Sequence, residues 1–336
     1  METAQPAPGD AFPVAAGDPV LGAETGVVYA RPSTPLAYNS DVQNPKALNT
    51  TLPTDLQQGS TLDGTNVFTR PPQVGHFRVW RDGIGTSVFL DVWALSNHFS
   101  STPDGRVFQR KEQAAYLAAI VDAIEADDPG ARVIAGGDFN VFPQPDDPFA
   151  PGQPIGTSGL VGPSNQLEAL YDQGVVSLWD HLAAEIPTAA YSYVFQGQAQ
   201  TLDSQFISDD LDAEFEAYRV AHINADFAAD FEGDGARGAS DHDPSQARYE
   251  LAVTIGRLDT LVRYLDATGE LRGKNTARNL LDRLAKAAAS EAAGKTDAAR
   301  SQLIAFRDQV ADLSPRFIDA DVATGLREEV AVLLGG

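Results

Sequence analysis

Carboxylate, amide and imidazole side chains gather in two short segments of the chain. In R-V-I-A-G-G-D-F-N, a short apolar run that suits a buried strand is followed by Asp138 and Asn140. The segment S-D-H-D-P supplies Asp241 and His242. An imidazole beside a carboxylate can contact a phosphate, activate water or bind a metal ion. Each segment is also typical of an ordinary turn, because Gly, Asp, Asn, Ser and Pro favour turns.

The predicted elements around the first segment bring further polar side chains toward it. If the strand stays extended, Asp138 and Asn140 share one face, because side chains alternate along a strand. An earlier predicted strand ends in Asn97 and His98, and an amphipathic helix over 109–126 joins the two strands. A right-handed crossover would place both strand ends at one sheet edge. We therefore expect His98, Asp138 and Asn140 to converge.

A predicted hairpin supplies one more acid. The segments Y-S-Y-V-F (191–195) and T-L-D-S-Q-F-I-S (201–208) are typical of strands, and Q-G-Q-A-Q separates them. Asp203 interrupts the second of these strands. A buried carboxylate needs a partner, and we expect that partner to be a histidine.

The composition sets limits on the function. With 336 residues, of which 43% are hydrophobic, the chain can form one large globular domain and an appendage. The absence of cysteine excludes disulfides and thiolate metal sites. The net charge of −23 belongs to residues 1–255, since the segment from Arg257 onward holds 12 basic and 12 acidic residues. A typical nucleic-acid binder is basic instead. The acidic surface suits bound cations, salty surroundings, a substrate other than long nucleic acid, or solubility alone.

Periodicity and composition divide the chain into three predicted parts. Residues 1–25 are rich in Pro, Ala and Gly and are predicted to be an irregular lead-in. Residues 26–255 alternate strands, helices and loops, and residues 256–336 have helical spacing. The predicted helices of this last part are 256–267, 276–293, 297–313 and 321–334. No window resembles a transmembrane span, and the N-terminus has no signal-peptide pattern.

The motifs N-H-F-x-S, G-G-D-F-N, S-Y-V-F-x-G-Q, H-I-N-A-D and S-D-H-D-P occur in this order. Their combination resembles the endonuclease/exonuclease/phosphatase superfamily, which has the deoxyribonuclease I-like fold, and most of all its bacterial extracellular nuclease-like branch. The resemblance covers about residues 26–253. It implies an α+β fold, a two-sheet αββα sandwich that is N-terminally incomplete here, followed by a small all-α bundle. It also implies an extracellular or periplasmic location.

The resemblance implies metal-assisted attack of water on a phosphodiester, with Mg²⁺, Mn²⁺ or Ca²⁺ as the cofactor. Asp138 would orient or activate the water, His242 would act as acid/base or phosphate ligand, and Asp203 would orient His242. Asn97, His98 and Asn140 would bind the substrate phosphate. The expected catalytic residues are therefore His98, Asp138, Asn140, Asp203 and His242.

The metal ligands are harder to assign from the sequence. The resemblance implies that Asp241 binds the metal ion. The family pattern begins with a strand carrying an Asn and with a Q-E motif whose Glu is a principal ligand, and this first part is not evident here. Glu2 is the candidate remnant of that Glu.

The sequence thus predicts a divalent-metal phosphodiester hydrolase, an endonuclease acting on DNA. Two alternatives stay open: a phosphatase or phospholipid-type phosphodiesterase on the same fold, and a catalytically impaired scaffold or binding protein. The helical module resembles the FIMAH domains of secreted bacterial enzymes. It is either a packing appendage or a module that binds a protein or a surface.

Overall fold

The computed structural model describes residues 28–30, 72–101, 106–142, 151–154, 161–226 and 240–335. Two compact units make up the chain: Met1–Phe77 with Asp91–Glu250, and Arg78–Leu90 with Leu251–Gly336. Glu2 lies outside the described residues. No helix in the described ranges combines the length and the apolar character needed to cross a lipid bilayer.

A mixed sheet organises the first unit. Within the described residues its strands lie in the order β1-β2-β3-β4-β8-β5. β3 and β4 are parallel, as the predicted crossover requires, and β8 is antiparallel to β4. The strands are β1 Val28–Ala30, β2 Gln73–Trp80, β3 Phe89–His98, β4 Val133–Asp138, β5 Val176–Ser177 and β8 Asp203–Ile207.

The two faces of this sheet have different neighbours. The crossover helix α1, Val107–Asp127, packs on one face, where Leu95, Val133 and Phe206 share a buried core with its apolar stripe. On the other face, Gln205 Nε2 donates to Ser245 Oγ at 2.9 Å. Ser245 begins the second sheet, in which β9 (Phe215–Val220) pairs with the antiparallel β10 (Ser245–Tyr249).

The predicted pairing of segments 191–195 and 201–208 is wrong. β6, Tyr193–Phe195, pairs instead with β7, Gln198–Gln200, across a turn at Gln196 and Gly197, whose φ values are 51° and 80°. Two residues with positive φ form the tight turn whose twist matches a hairpin. β8 leaves this hairpin and joins β4, where Phe206 is completely buried.

The short elements connect these parts of the first unit. The strand predicted over Val175–Trp179 is only two residues long, because the helix α3 begins at Leu178 and buries Leu178, Trp179 and Leu182. The short helices are α2 Glu168–Asp172, α3 Leu178–Glu185 and α4 Asp209–Asp212.

The described residues of the second unit form four helices around their own apolar core. They are α5 Ile255–Ala267, α6 Thr276–Ala292, α7 Thr296–Leu313 and α8 Ala320–Leu333. Each begins and ends within about one residue of its predicted range, as regular 3.6-residue spacing allows. The unit also includes Arg78–Leu90, so that the rings of Trp80 and Phe89 meet Tyr264 edge to face. The α+β fold followed by an all-α part is confirmed.

Candidate active site

Three neighbouring strands carry one polar side chain each at the same level of the sheet. In the strand register, His98 on β3 lies opposite Asp138 on β4, and Asp138 lies opposite Asp203 on β8. Side chains alternate along strands, so these residues share the sheet face that lies away from the crossover helix. His98 Nε2 is 3.5 Å from Asp138 Oδ2. The expected convergence of His98 with Asp138 is therefore present.

Asn140 reaches Asp138 through a turn and not along an extended strand. β4 ends at Asp138, and Asn140 has a φ of 52°. Its backbone N–H and its side-chain Nδ2 each donate to the Asp138 carboxylate at 2.8 Å, and Nδ2 also donates to the Phe99 carbonyl oxygen at 3.1 Å. Asn tolerates this left-handed conformation and bonds locally more readily than most residues. The sequence left two interpretations open, an extended strand with both side chains on one face and a turn, and the structure has the turn.

Gly137 fits where a side chain cannot. Its φ is 138°, and a Cβ atom built on it would lie 2.0 Å from the Asn97 carbonyl oxygen. We expect Gly137→Ala to destabilise the first unit by about 2–5 kcal/mol, because both the backbone strain and the clash must be relieved. Thermal unfolding measures the effect. Gly136→Ala is the control, since its Cβ would meet the flexible Gln205 side chain at 3.2 Å and the Ser204 carbonyl oxygen at an ordinary contact distance of 3.6 Å. Equal effects at the two glycines would contradict the prediction.

The segment S-D-H-D-P adds His242 to the site. His242 Nδ1 lies 2.6 Å from Asp203 Oδ2. This contact supplies the histidine partner that the sequence predicts for Asp203. The backbone of His242 forms an isolated antiparallel β-bridge with Tyr193 in β6, and the rings of the two residues pack with their centroids 4.7 Å apart. The hydrogen bond with Asp203 raises the pKa of His242 above its ordinary value, although burial acts in the opposite direction.

Asp138 lies in an environment that disfavours its charge. Burial raises its pKa, the Asn140 backbone N–H lowers it, and the nearby Asp203 carboxylate raises it again. The net shift is upward. A carboxylate with a raised pKa holds a proton more readily than a surface aspartate and is a better base when it is ionised.

A cavity of about 750 Å³ opens over these side chains. Its lining combines polar side chains, among them Asp241, Asp138 and His242, with apolar and aromatic ones. The described residues that line the cavity include no lysine or arginine. The apolar and aromatic lining residues are Val141, Phe142, Tyr193, Phe195 and Leu202. A volume of this size accommodates a small molecule or one or two nucleotide units.

The metal-ligating geometry differs from the set expected from the sequence. Among the described residues, Asp138, Asp203 and His242 each offer a ligand atom within 4.8 Å of the others. Asp241 lines the same cavity without belonging to this group, and Glu2 is not described. Two carboxylate oxygens and one imidazole nitrogen suit a divalent cation, and the oxygen donors favour a hard ion such as Mg²⁺ or Mn²⁺.

Asn97 does not reach the cavity. Its side chain is buried and its Nδ2 donates to the carbonyl oxygens of Leu95 and Gly136, at 2.9 and 3.2 Å. The cause is strand alternation: adjacent residues point to opposite faces, so His98 and Asn97 cannot both face the same cavity. The structure therefore does not support the expectation that Asn97 binds substrate.

A buried arginine that the sequence did not single out supports the loop after His98. Arg110 on the crossover helix is completely buried. Its Nη1 donates to the Ser100 carbonyl oxygen at 2.7 Å, and its Nε donates to Gln166 Oε1 at 2.5 Å. Gln113 Oε1 accepts the Ser100 N–H at 3.0 Å. Little in the sequence indicates this burial, because an arginine on a helix is more often exposed.

The pairing of His242 with acids makes its contribution to stability depend on pH. Asp203, Asp138 and Asp241 all raise its pKa above the ordinary 6.5. A raised histidine pKa stabilises the folded state fully below the unfolded pKa, and this stabilisation is lost as pH rises through the folded pKa. In protein treated with EDTA, we expect His242→Gln to destabilise the chain more at about pH 6 than at about pH 9. Thermal melts of both proteins check this, and a pH-independent difference would contradict it.

A comparison with protein-family models finds a match in the C-terminal helical part of the chain. The family model described as FIMAH domain matches residues 255–335, in line with the sequence resemblance. No curated protein sequence matches the chain.

Solved structures are similar over about half of the chain. Truncated Caenorhabditis elegans TDP2 has 19% identity and a TM-score of 0.33, and the match covers 53% of this chain and 59% of that one. An AP endonuclease from Archaeoglobus fulgidus has 14% identity and a TM-score of 0.32, covering 52% of this chain and 70% of that one. The 3′ phosphatase NExo from Neisseria, bound to a product DNA hairpin, has 17% identity and a TM-score of 0.33, covering 50% and 66%. The chain spans less than two thirds of the TDP2 structure.

Proposed function

We propose that the chain is a divalent-metal-dependent phosphodiester hydrolase of the deoxyribonuclease I-like type, an endonuclease that cleaves DNA by attack of water on phosphorus. One observation carries the proposal. His98, Asp138 and Asp203 form a row across three adjacent strands, and Asp203 is joined to His242 at 2.6 Å. Hydrolysis of a phosphodiester needs a base, an acid and groups that stabilise charge on the phosphate.

Each side chain has a role that its contacts support. Asp138 is held by Asn140, and its raised pKa suits it to accept a proton from water. Asp203 occupies Nδ1 of His242, which leaves Nε2 to contact a phosphate oxygen or to protonate the leaving oxygen. His98 borders the same cavity and can donate to the phosphate. Asn140 borders it too, but its two Nδ2 hydrogens are directed at Asp138 and at the Phe99 carbonyl oxygen, so phosphate binding by Asn140 would require one of these bonds to be exchanged.

The residues present fit a bound divalent cation. The carboxylates of Asp138 and Asp203 would hold it, with Asp241 nearby on the cavity wall, and His242 Nε2 would serve either as a third ligand or as the proton donor, because one nitrogen cannot do both. A bound Mg²⁺ or Mn²⁺ ion would neutralise charge that develops on the phosphate oxygens. This contribution matters here because the described lining residues include no cationic lysine or arginine.

The apolar cavity wall favours a second candidate function, hydrolysis of small phosphoesters or phospholipid head groups. Phe195 is 50% exposed, and Tyr193 packs against His242. An aromatic surface beside the reacting phosphate favours substrates with a flat or apolar leaving group, whereas the acidic chain repels long polyanions.

The test is hydrolysis by purified, metal-stripped protein with Mg²⁺, Mn²⁺ or Ca²⁺ added back. A labelled DNA oligonucleotide, bis-p-nitrophenyl phosphate and a phospholipid vesicle report the three substrate classes. Metal-dependent internal cleavage of the oligonucleotide supports the endonuclease. Turnover of the small ester or the lipid alone moves the assignment to the second candidate, and no turnover of any substrate by folded protein indicates a scaffold.

Two further expectations from the sequence stay proposals. The bacterial extracellular branch, and with it an extracellular or periplasmic location, is supported by motifs such as H-I-N-A-D and S-D-H-D-P. A role for residues 255–335 in binding a protein or a surface is supported by the separate helical core of the second unit. Fractionation of the source cells, and pull-down with the full chain, would test them.

A further inference from the structure

We propose that Asp243 is a positioning residue that holds the backbone of His242 in place beside Asp203, acting through Ser192 and Asn224. This inference rests on the proposed function, because it concerns the same site. It gives a role to the last Asp of S-D-H-D-P and to the segment H-I-N-A-D, neither of which takes part in the catalytic roles proposed above.

The Asp243 carboxylate is enclosed by donors. Its side chain is completely buried. Oδ1 accepts the backbone N–H groups of three successive residues, Ile223, Asn224 and Ala225, at 3.0, 2.8 and 2.9 Å. Oδ2 lies 2.9 Å from His222 Nδ1. Three consecutive N–H groups that converge on one oxygen form an anion-binding concavity, so the loop is folded around this carboxylate.

The same residues bond directly to both members of the pair formed by Asp203 and His242. The Asp243 N–H donates to the Ser192 carbonyl oxygen at 2.8 Å. Ser192 is completely buried, and its Oγ accepts the backbone N–H of Asp203 at 3.1 Å. On the other side, Asn224 Nδ2 donates to the His242 carbonyl oxygen at 2.9 Å.

These contacts close a ring of hydrogen bonds. It runs from Asp203 through Ser192, Asp243 and Asn224 to His242, and the side-chain contact between His242 and Asp203 completes it. A buried network of this kind holds its members in one arrangement only while each partner is present. Removal of the Asp243 carboxylate would release the turn at residues 223–225, and with it the hold of Asn224 on His242.

The kinetic test compares Asp243→Asn, Asn224→Ala and Asp226→Asn in the full chain. Asp226 belongs to the same H-I-N-A-D segment but is exposed and contacts the Tyr191 hydroxyl. With a DNA substrate and Mg²⁺, we expect kcat to fall about 10- to 100-fold in Asp243→Asn, with KM changed less than about threefold. Asn224→Ala should show a smaller fall in kcat, and Asp226→Asn should equal wild type. Wild-type kcat in folded Asp243→Asn would overturn the proposal.

A second readout does not depend on turnover. The proton shared by His242 Nδ1 and Asp203 should give a downfield NMR signal in wild type and in Asp226→Asn, because a short charge-assisted bond deshields its proton. We expect the signal to be lost or broadened in Asp243→Asn and weakened in Asn224→Ala. If wild type hydrolyses no substrate, the proposed function fails while this signal still decides the positioning role. A signal that is unchanged in both variants would overturn it.

Discussion

Asp138→Asn should lower kcat/KM for DNA cleavage by about 10²- to 10⁴-fold while the chain stays folded. The substitution keeps the size of the side chain but removes the carboxylate that we assign as the base and as one of the cation ligands. Two effects on stability oppose each other. Replacing an acid whose pKa is raised by burial removes an unfavourable buried charge, but the new carboxamide has one acceptor oxygen for the two donors of Asn140, so one of these hydrogen bonds is lost.

Initial rates with saturating Mg²⁺, together with a thermal melt, measure this prediction. The matched control is Asp122→Asn, an exposed aspartate on the crossover helix, which should cleave at the wild-type rate. A folded Asp138→Asn protein with activity within about tenfold of wild type would rule out Asp138 as the base.

Glu329→Ala should destabilise the second unit by about 1–3 kcal/mol, the cost of leaving the buried Val88 N–H without its acceptor, whereas Arg81 keeps its ion pair with Asp82 at 2.7 Å. Glu329 lies on α8 with a side chain that is only 1% exposed. Its Oε1 accepts from Arg81 Nη2 at 2.9 Å and from the backbone N–H of Val88 at 3.0 Å. One carboxylate therefore ties the segment Arg78–Leu90 to the helices of its own unit.

Hydrogen exchange of the full chain, measured on peptides from residues 255–335, detects this local loss of stability. Glu328→Ala changes the neighbouring, exposed glutamate and should leave exchange unchanged. Glu329→Gln keeps an acceptor for the Val88 N–H but loses the charge that pairs with Arg81, so its effect should be intermediate. Equal exchange in Glu329→Ala and Glu328→Ala would show that the buried Glu329 carboxylate does not hold this unit together.

The elements whose hydrophobic residues repeat at regular spacing were predictable from the sequence. The helices of the second unit follow from regular apolar stripes, and the parallel pair of β3 and β4 follows from a strand, a helix and a strand in succession. This crossover is also why His98 and Asp138 could be placed together. The partner of Asp203 could be predicted because a carboxylate on a partly buried strand requires compensation.

The features that depend on turns and on distant contacts could not be predicted. Asn140 reaches Asp138 through a left-handed residue, and the sequence alone left turn and strand open. The hairpin partner of β6 depends on a two-residue turn at Gln196 and Gly197, and nothing local shows that Arg78–Leu90 belongs with the helices. The burial of Asn97 away from the cavity, in contrast, could have been predicted, because adjacent residues on a strand face opposite ways.

The most direct test of the account is nicking of supercoiled plasmid by wild type and by His242→Ala, with Mg²⁺ and with excess EDTA. His242 is the hydrogen-bond partner of Asp203 and is also a candidate cation ligand, so the loss of this one side chain should abolish hydrolysis. We predict nicking by wild type that EDTA stops, and a rate at least about 10²-fold lower in a folded His242→Ala protein. Nicking that persists in EDTA, or that is equal in the two proteins, would contradict metal-dependent hydrolysis at this site.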